Sequence, residues 1–199
     1  MRSRPIIDLE WGASDTWLVW NIGGGAELAG SLGANSDIPD EFTTAVAAGI
    51  GALEGHHANQ PGTWSAGVWL PDRQACEVAA TLAIRVVDPD RPHRLTQEEL
   101  IRWAGRPTRT RGVRVMDCAA VPGNLSAGPA VLQILETVTR PSRQVMLQMN
   151  WFVLPPGTDQ IVLCQFDSEH PYLTDALGWE TNVITDSLAV RLGGSVDTA

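Results

Sequence analysis

Residues 76–87 read CEVAATLAIRVV, and their alternation decides the fold. In an extended chain Cys76, Val78, Ala80, Leu82, Ile84 and Val86 share one side, while Glu77, Thr81 and Arg85 share the other. That is a strand with one face buried. The same period of two returns at 111–121 (Val113, Val115, Asp117, Ala119, Val121) and at 129–139 (Ala130, Leu132, Ile134, Glu136, Val138). A further run, 143–154, places Val145, Leu147, Met149, Trp151 and Val153 inward, and PPGTDQ (155–160) turns the chain into IVLCQF. The connections between these runs are too short for a parallel crossover, so they predict an antiparallel meander.

Working outward, the apolar stretch TWLVWNI (16–22) predicts a strand covered on both sides, with Trp17 and Val19 facing one way and Leu18, Trp20 and Ile22 the other. Phe42, Val46, Ile50 and Leu53 recur at helical spacing, with Asp40 and Glu41 in the first turn, which predicts a helix over 39–54. A short strand follows near 64–70. Thr96 and Glu99 have the spacing of a capping box that opens a short helix through Trp103. From 174 to 192 two adjacent stripes, Ala176, Trp179, Val183, Ser187 and Val190 beside Leu177, Ile184, Leu188 and Leu192, predict a long helix lying across the sheet. The expected fold is α+β: about five to seven antiparallel strands flanked by helices, in a single domain. Within it, 1–63 is a less regular extension with one helix, 64–192 the sheet and terminal helix, and 193–199 a tail. Glycine, asparagine and serine interrupt the pattern at 23–37 and 54–63, which are the expected mobile loops.

Composition excludes more than it identifies. The 199 residues carry a net charge of −9, which disfavours nucleic acid and anionic membrane surfaces as partners. All 14 basic residues are arginine; without lysine there is no Walker-type phosphate loop and no Schiff-base chemistry. The same bias, with abundant alanine, glycine and proline, is what a GC-rich genome produces without selection for function. Cys76, Cys118 and Cys164 are widely spaced in apolar runs and read as buried thiols. No run reaches 18 apolar residues and no targeting segment stands out, so a cytoplasmic location is expected.

The glycine-rich stretch NIGGGAELAGSLGAN (21–35) has Leu28 where a dinucleotide fingerprint needs its third glycine, so a turn is expected there and no cofactor. Ser65 and Ser126 lack the glycine two positions earlier that a nucleophile elbow demands. Asp88, Asp90 and His93, and likewise Asp167, Glu169 and His170, group oxygen and imidazole ligands, but both groups lie in turns, where those residue types recur for backbone reasons. His56 and His57 are expected in a loop. Arg102, Arg106, Arg109, Arg111 and Arg114 form the one basic cluster, with Arg109 and Arg111 on a shared strand face able to grip an acidic group. Of eight tryptophans, Trp151 and Trp179 are expected in the core. Trp11, Trp17, Trp20, Trp64 and Trp69, in the less regular third, are the expected partner-binding residues together with Arg109 and Arg111.

The ending FVLPPGTDQIVLCQFDSEHP (152–171), within a five-strand-then-helix pattern over 64–192, resembles the PsbP-like α/β/α sandwich group of photosystem II extrinsic subunits and Ran-binding import factors. The resemblance implies an antiparallel sheet between helices and a non-enzymatic, protein-binding or accessory role; it carries over no catalytic residues. The expected function is therefore a non-catalytic domain that binds another protein or itself. Two alternatives are a helix-grip-like carrier holding an apolar ligand between the terminal helix and the sheet, and a metal-assisted hydrolase built on the two Asp/His groups.

Overall fold

The computed structural model describes residues 3–35, 40–72, 77–89, 94–107, 110–140 and 142–194. In chain order the elements are β1 (Ile6–Glu10), β2 (Trp17–Asn21), α1 (Gly25–Asn35), α2 (Asp40–Ala58), β3 (Thr63–Trp69), β4 (Ala80–Val87), α3 (Gln97–Ala104), β5 (Val113–Leu125), β6 (Gly128–Thr139), β7 (Val145–Val153), β8 (Ile161–Ser168), α4 (Thr174–Asp186) and β9 (Ala189–Leu192). Seven strands form one antiparallel sheet in the order β2-β3-β4-β8-β7-β6-β5, and β1 pairs with β9 in a separate ribbon. The expected meander is β5 to β8, and β4 closes against β8.

One face of the sheet is covered by α4 and the ribbon. Leu82 and Ile84 of β4, Met149 and Trp151 of β7 and Phe166 of β8 meet Leu177, Ile184 and Leu188 there. Each such side chain taken fully out of water contributes about 1.5–3 kcal/mol. Among the described residues the opposite face is covered at its two ends only. At one end α1 and α2 pack on Trp20, Ala66 and Val68; at the other, α3 packs on Val131, Phe152 and Ile161. The capping box of α3 forms as its spacing predicts, with Thr96 accepting from the Glu99 backbone and Glu99 from that of Thr96.

Several expectations are corrected. The glycine-rich stretch is helix α1, because Leu28, Ala29 and Leu32 lie one turn apart and pack on α2. Helix α2 runs on to Ala58, which puts His56 and His57 in its last turn. Among the described residues the first 63 positions therefore hold strands β1 and β2 and helices α1 and α2, not one helix in a loose extension. The terminal helix stops at Asp186, and 189–192 turn into β9, since Ile6 and Leu9 of β1 offer Val190 and Leu192 an apolar partner. In β5 a bulge at Met116 inserts one residue, so the later half changes face and Val121, expected inward, is exposed. Cys76 lies outside the described residues, while Cys164 is buried, its thiol pushed up to about 12 by burial. Among the described residues no helix is long and apolar enough to cross a membrane.

Candidate functional site

The half-covered face of the sheet leaves a cleft between α2 and α3, and strand register dictates its floor. One row across the sheet runs Gln133, Asn150, Gln165, Ala83, Ala66, Trp20. The next runs Leu135, Gln148, Asp167, Thr81 and Val68. The small and apolar ends of these rows lie under α2; the amides begin where helix cover stops. A row on the other side, Val131, Phe152, Leu163 and Arg85, carries the floor into an apolar pocket.

Hydrogen bonds tie the amides together. Asn150 donates to Gln133 at 2.9 Å, and Gln133 donates to the carbonyl of Ala104 at the end of α3. Gln148 donates to one oxygen of Asp167 at 2.6 Å and Gln165 to the other at 2.8 Å. Burial raises Asp167 above the usual carboxylate range, against the two amide bonds and the nearby imidazoles of His57 and His56. His57, buried at the end of α2, is lowered chiefly by burial, against its bond with Gln60. Both oxygens of this floor carboxylate are thus engaged by amide donors.

Two adjoining pockets fill the cleft. One of about 400 Å³ lies beneath α3 among Leu95, Leu100, Phe152, Ile161 and Leu163, with Arg85 and Asp88 at its edge. The other, of about 340 Å³, lies over Gln133, Gln148, Asn150 and Gln165 with Arg106 beside it. Trp103, Phe152 and Leu163 border both, and Trp103 stands edge-on to Phe152 with ring centroids 5.3 Å apart. More than half of the Trp103 surface is exposed, so the aromatic pair forms a partition open to solvent.

The residues singled out from sequence fall elsewhere. Trp17, Trp20 and Trp69 are buried, and each indole N–H has a partner: Glu180, Glu54 and Thr16 respectively. Strands β2 and β3 turn them into the two cores, where they pack. Trp11 and Trp64 are half-buried. Trp151 is buried as expected, whereas Trp179 is exposed by 71%, because α4 turns its Leu177, Thr181 and Ile184 stripe to the sheet. Trp179 and Val183 border a shallow pocket of about 580 Å³ against Gly123 and Leu125 of β5. Arg111 is exposed and Arg109 lies outside the described residues.

Glu54 answers the glycine-rich stretch. Its carboxylate accepts from the backbone N–H of Gly23 at 2.6 Å and from Trp20 at 2.7 Å, so the protein's own anion takes up that donor. A Cβ at Gly25 would stand 3.1 Å from the Glu54 side chain and from the Trp20 indole nitrogen, a crowded approach that glycine avoids. Ser65 is buried and bonded to Asn21, and Ser126 lies exposed in the β5–β6 turn. Asp167 faces the cleft, whereas His170 sits 3.4 Å from Glu77; Asp90 and His93 lie outside the described residues. Among the described residues no three His, Cys, Asp or Glu side chains converge to hold a metal ion.

No family model matches this chain, and no curated protein matches it.

Proposed function

We propose that this chain is a non-catalytic binding domain whose site is the cleft between α2 and α3, and that its ligand is a small amphipathic molecule. The carrying observation is the contiguity of an apolar pocket with a row of side-chain amides on one strand face. Amides donate and accept hydrogen bonds without moving protons, so they read a ligand's polar end; the leucines and Phe152 desolvate its other end. The combined space falls in the range of small-molecule sites.

The neutral probe N-phenyl-1-naphthylamine, whose emission rises in apolar surroundings, tests the reading. It is expected to bind the intact chain and to be displaced at least tenfold by Leu163→Trp, which fills the border of both pockets. Val183→Trp, at the α4 pocket, is expected to have no effect. If Val183→Trp abolishes binding and Leu163→Trp does not, the helix-grip carrier replaces this reading.

A second reading, self-association, is favoured by exposed Trp179 and Val183 on α4 and exposed Val121 on β5. Tryptophan at such a position serves as an interface anchor. Helices on both faces of an antiparallel sheet are the arrangement that the resemblance to PsbP-like sandwiches implies.

A further inference from the structure

Arg85 is the feature of the cleft that amide recognition does not explain. It lies on β4, a central strand, opposite Leu163 and at the edge of the apolar pocket. Its Nε is buried and, among the described residues, has no hydrogen-bond partner. Among the described residues it joins no ion pair either: Asp88, at the same edge, is exposed and its Oδ1 accepts from Gln160 at 2.9 Å. A guanidinium is a permanent cation with donors in a fixed plane, and a buried donor left without an acceptor costs about as much as a lost hydrogen bond. A group that enters the pocket with an acceptor at Arg85 removes that cost.

We propose that the pocket takes an aliphatic monocarboxylate, with its chain among Leu95, Leu100, Phe152, Ile161 and Leu163 and its carboxylate on Arg85. A carboxylate matches the planar fork of the guanidinium. One cation balances one negative charge, and Asp88 at the rim disfavours a head group carrying two. This inference rests on the cleft reading above and names the chemistry of the ligand's polar end.

The test compares decanoate with decanol, which has the same chain and a neutral head, by isothermal titration calorimetry below the micellar range. The intact chain is expected to bind decanoate about tenfold or more tighter than decanol, the gain of a charge-assisted bond. In Arg85→Gln the ratio of the two affinities is expected to fall to about one, and in Arg85→Lys to an intermediate value. Equal affinity for both ligands in the intact chain, or a ratio untouched by Arg85→Gln, overturns the assignment of Arg85 and leaves the cleft standing. If neither ligand binds the intact chain, the cleft reading falls along with it.

Discussion

Asp167 sits in the cleft with both carboxylate oxygens bonded to glutamine amides, yet burial raises it. A raised value means that the folded state holds the proton more firmly than the unfolded chain does. This group therefore favours folding in acid and opposes it once pH climbs past its folded value. His57 has the opposite sign: lowered by burial, it supports folding above 6.5 and withdraws that support as pH falls. Asp167→Asn keeps an acceptor and removes the charge. The variant is expected to melt above the parent at pH 7, and the gap to close as pH approaches 3.8, the ordinary carboxylate value. Losing Asp167 also leaves His57 harder to protonate, which closes the gap further. Thermal melts at three pH values decide it; a gap that widens on acidification refutes the sign.

At the level of elements, the turn from α2 into β3 depends on Gly62. Its φ is +76°, and a Cβ there would run into the Val86 carbonyl of β4, while its own carbonyl accepts from the Val86 N–H at 2.8 Å. Gly62→Ala is expected to cost about 1–3 kcal/mol, from strain at a left-handed position plus the shift forced on β4; urea unfolding measures it. Strands and short caps were legible in the sequence for the same local reason. Alternation at 80–87 and Thr96 with Glu99 are properties of adjacent residues. The bulge at Met116 was not, because nothing in VRVMDCAAV marks which residue is extra; pairing with β6 sets it. Helix α1 was hidden by its glycines, and β9 by side chains that suit a helical stripe as well as a strand. The cleft was illegible for a related reason. Gln133, Gln148, Asn150 and Gln165 each look like ordinary outward-facing strand residues, and only cross-strand register gathers them.

For the whole molecule, the two sheet faces differ in how fully they are roofed. The face under α4 carries the large core, but the outer flank of α4 shows Trp179 and Val183 to solvent, near the edge strand β5. If a second copy covers that strip, light scattering during size exclusion will give a dimer for the intact chain and a monomer for Trp179→Glu. A monomer for both removes self-association through this surface. The same chromatography leaves the cleft untested, since the strip and the cleft lie on opposite faces.

The ribbon of β1 and β9 joins segments about 180 positions apart, with Ile6 beside Leu192, Glu10 beside Ala189 and Arg191 bridging Asp8 and Glu10. Because the outermost residues of both strands are partners, tension applied at 6 and 192 loads one backbone pair at a time rather than the whole row together. The ribbon is a zipper in mechanical terms: under stretch it peels first and cheaply, sparing the seven-stranded sheet until both ends have let go.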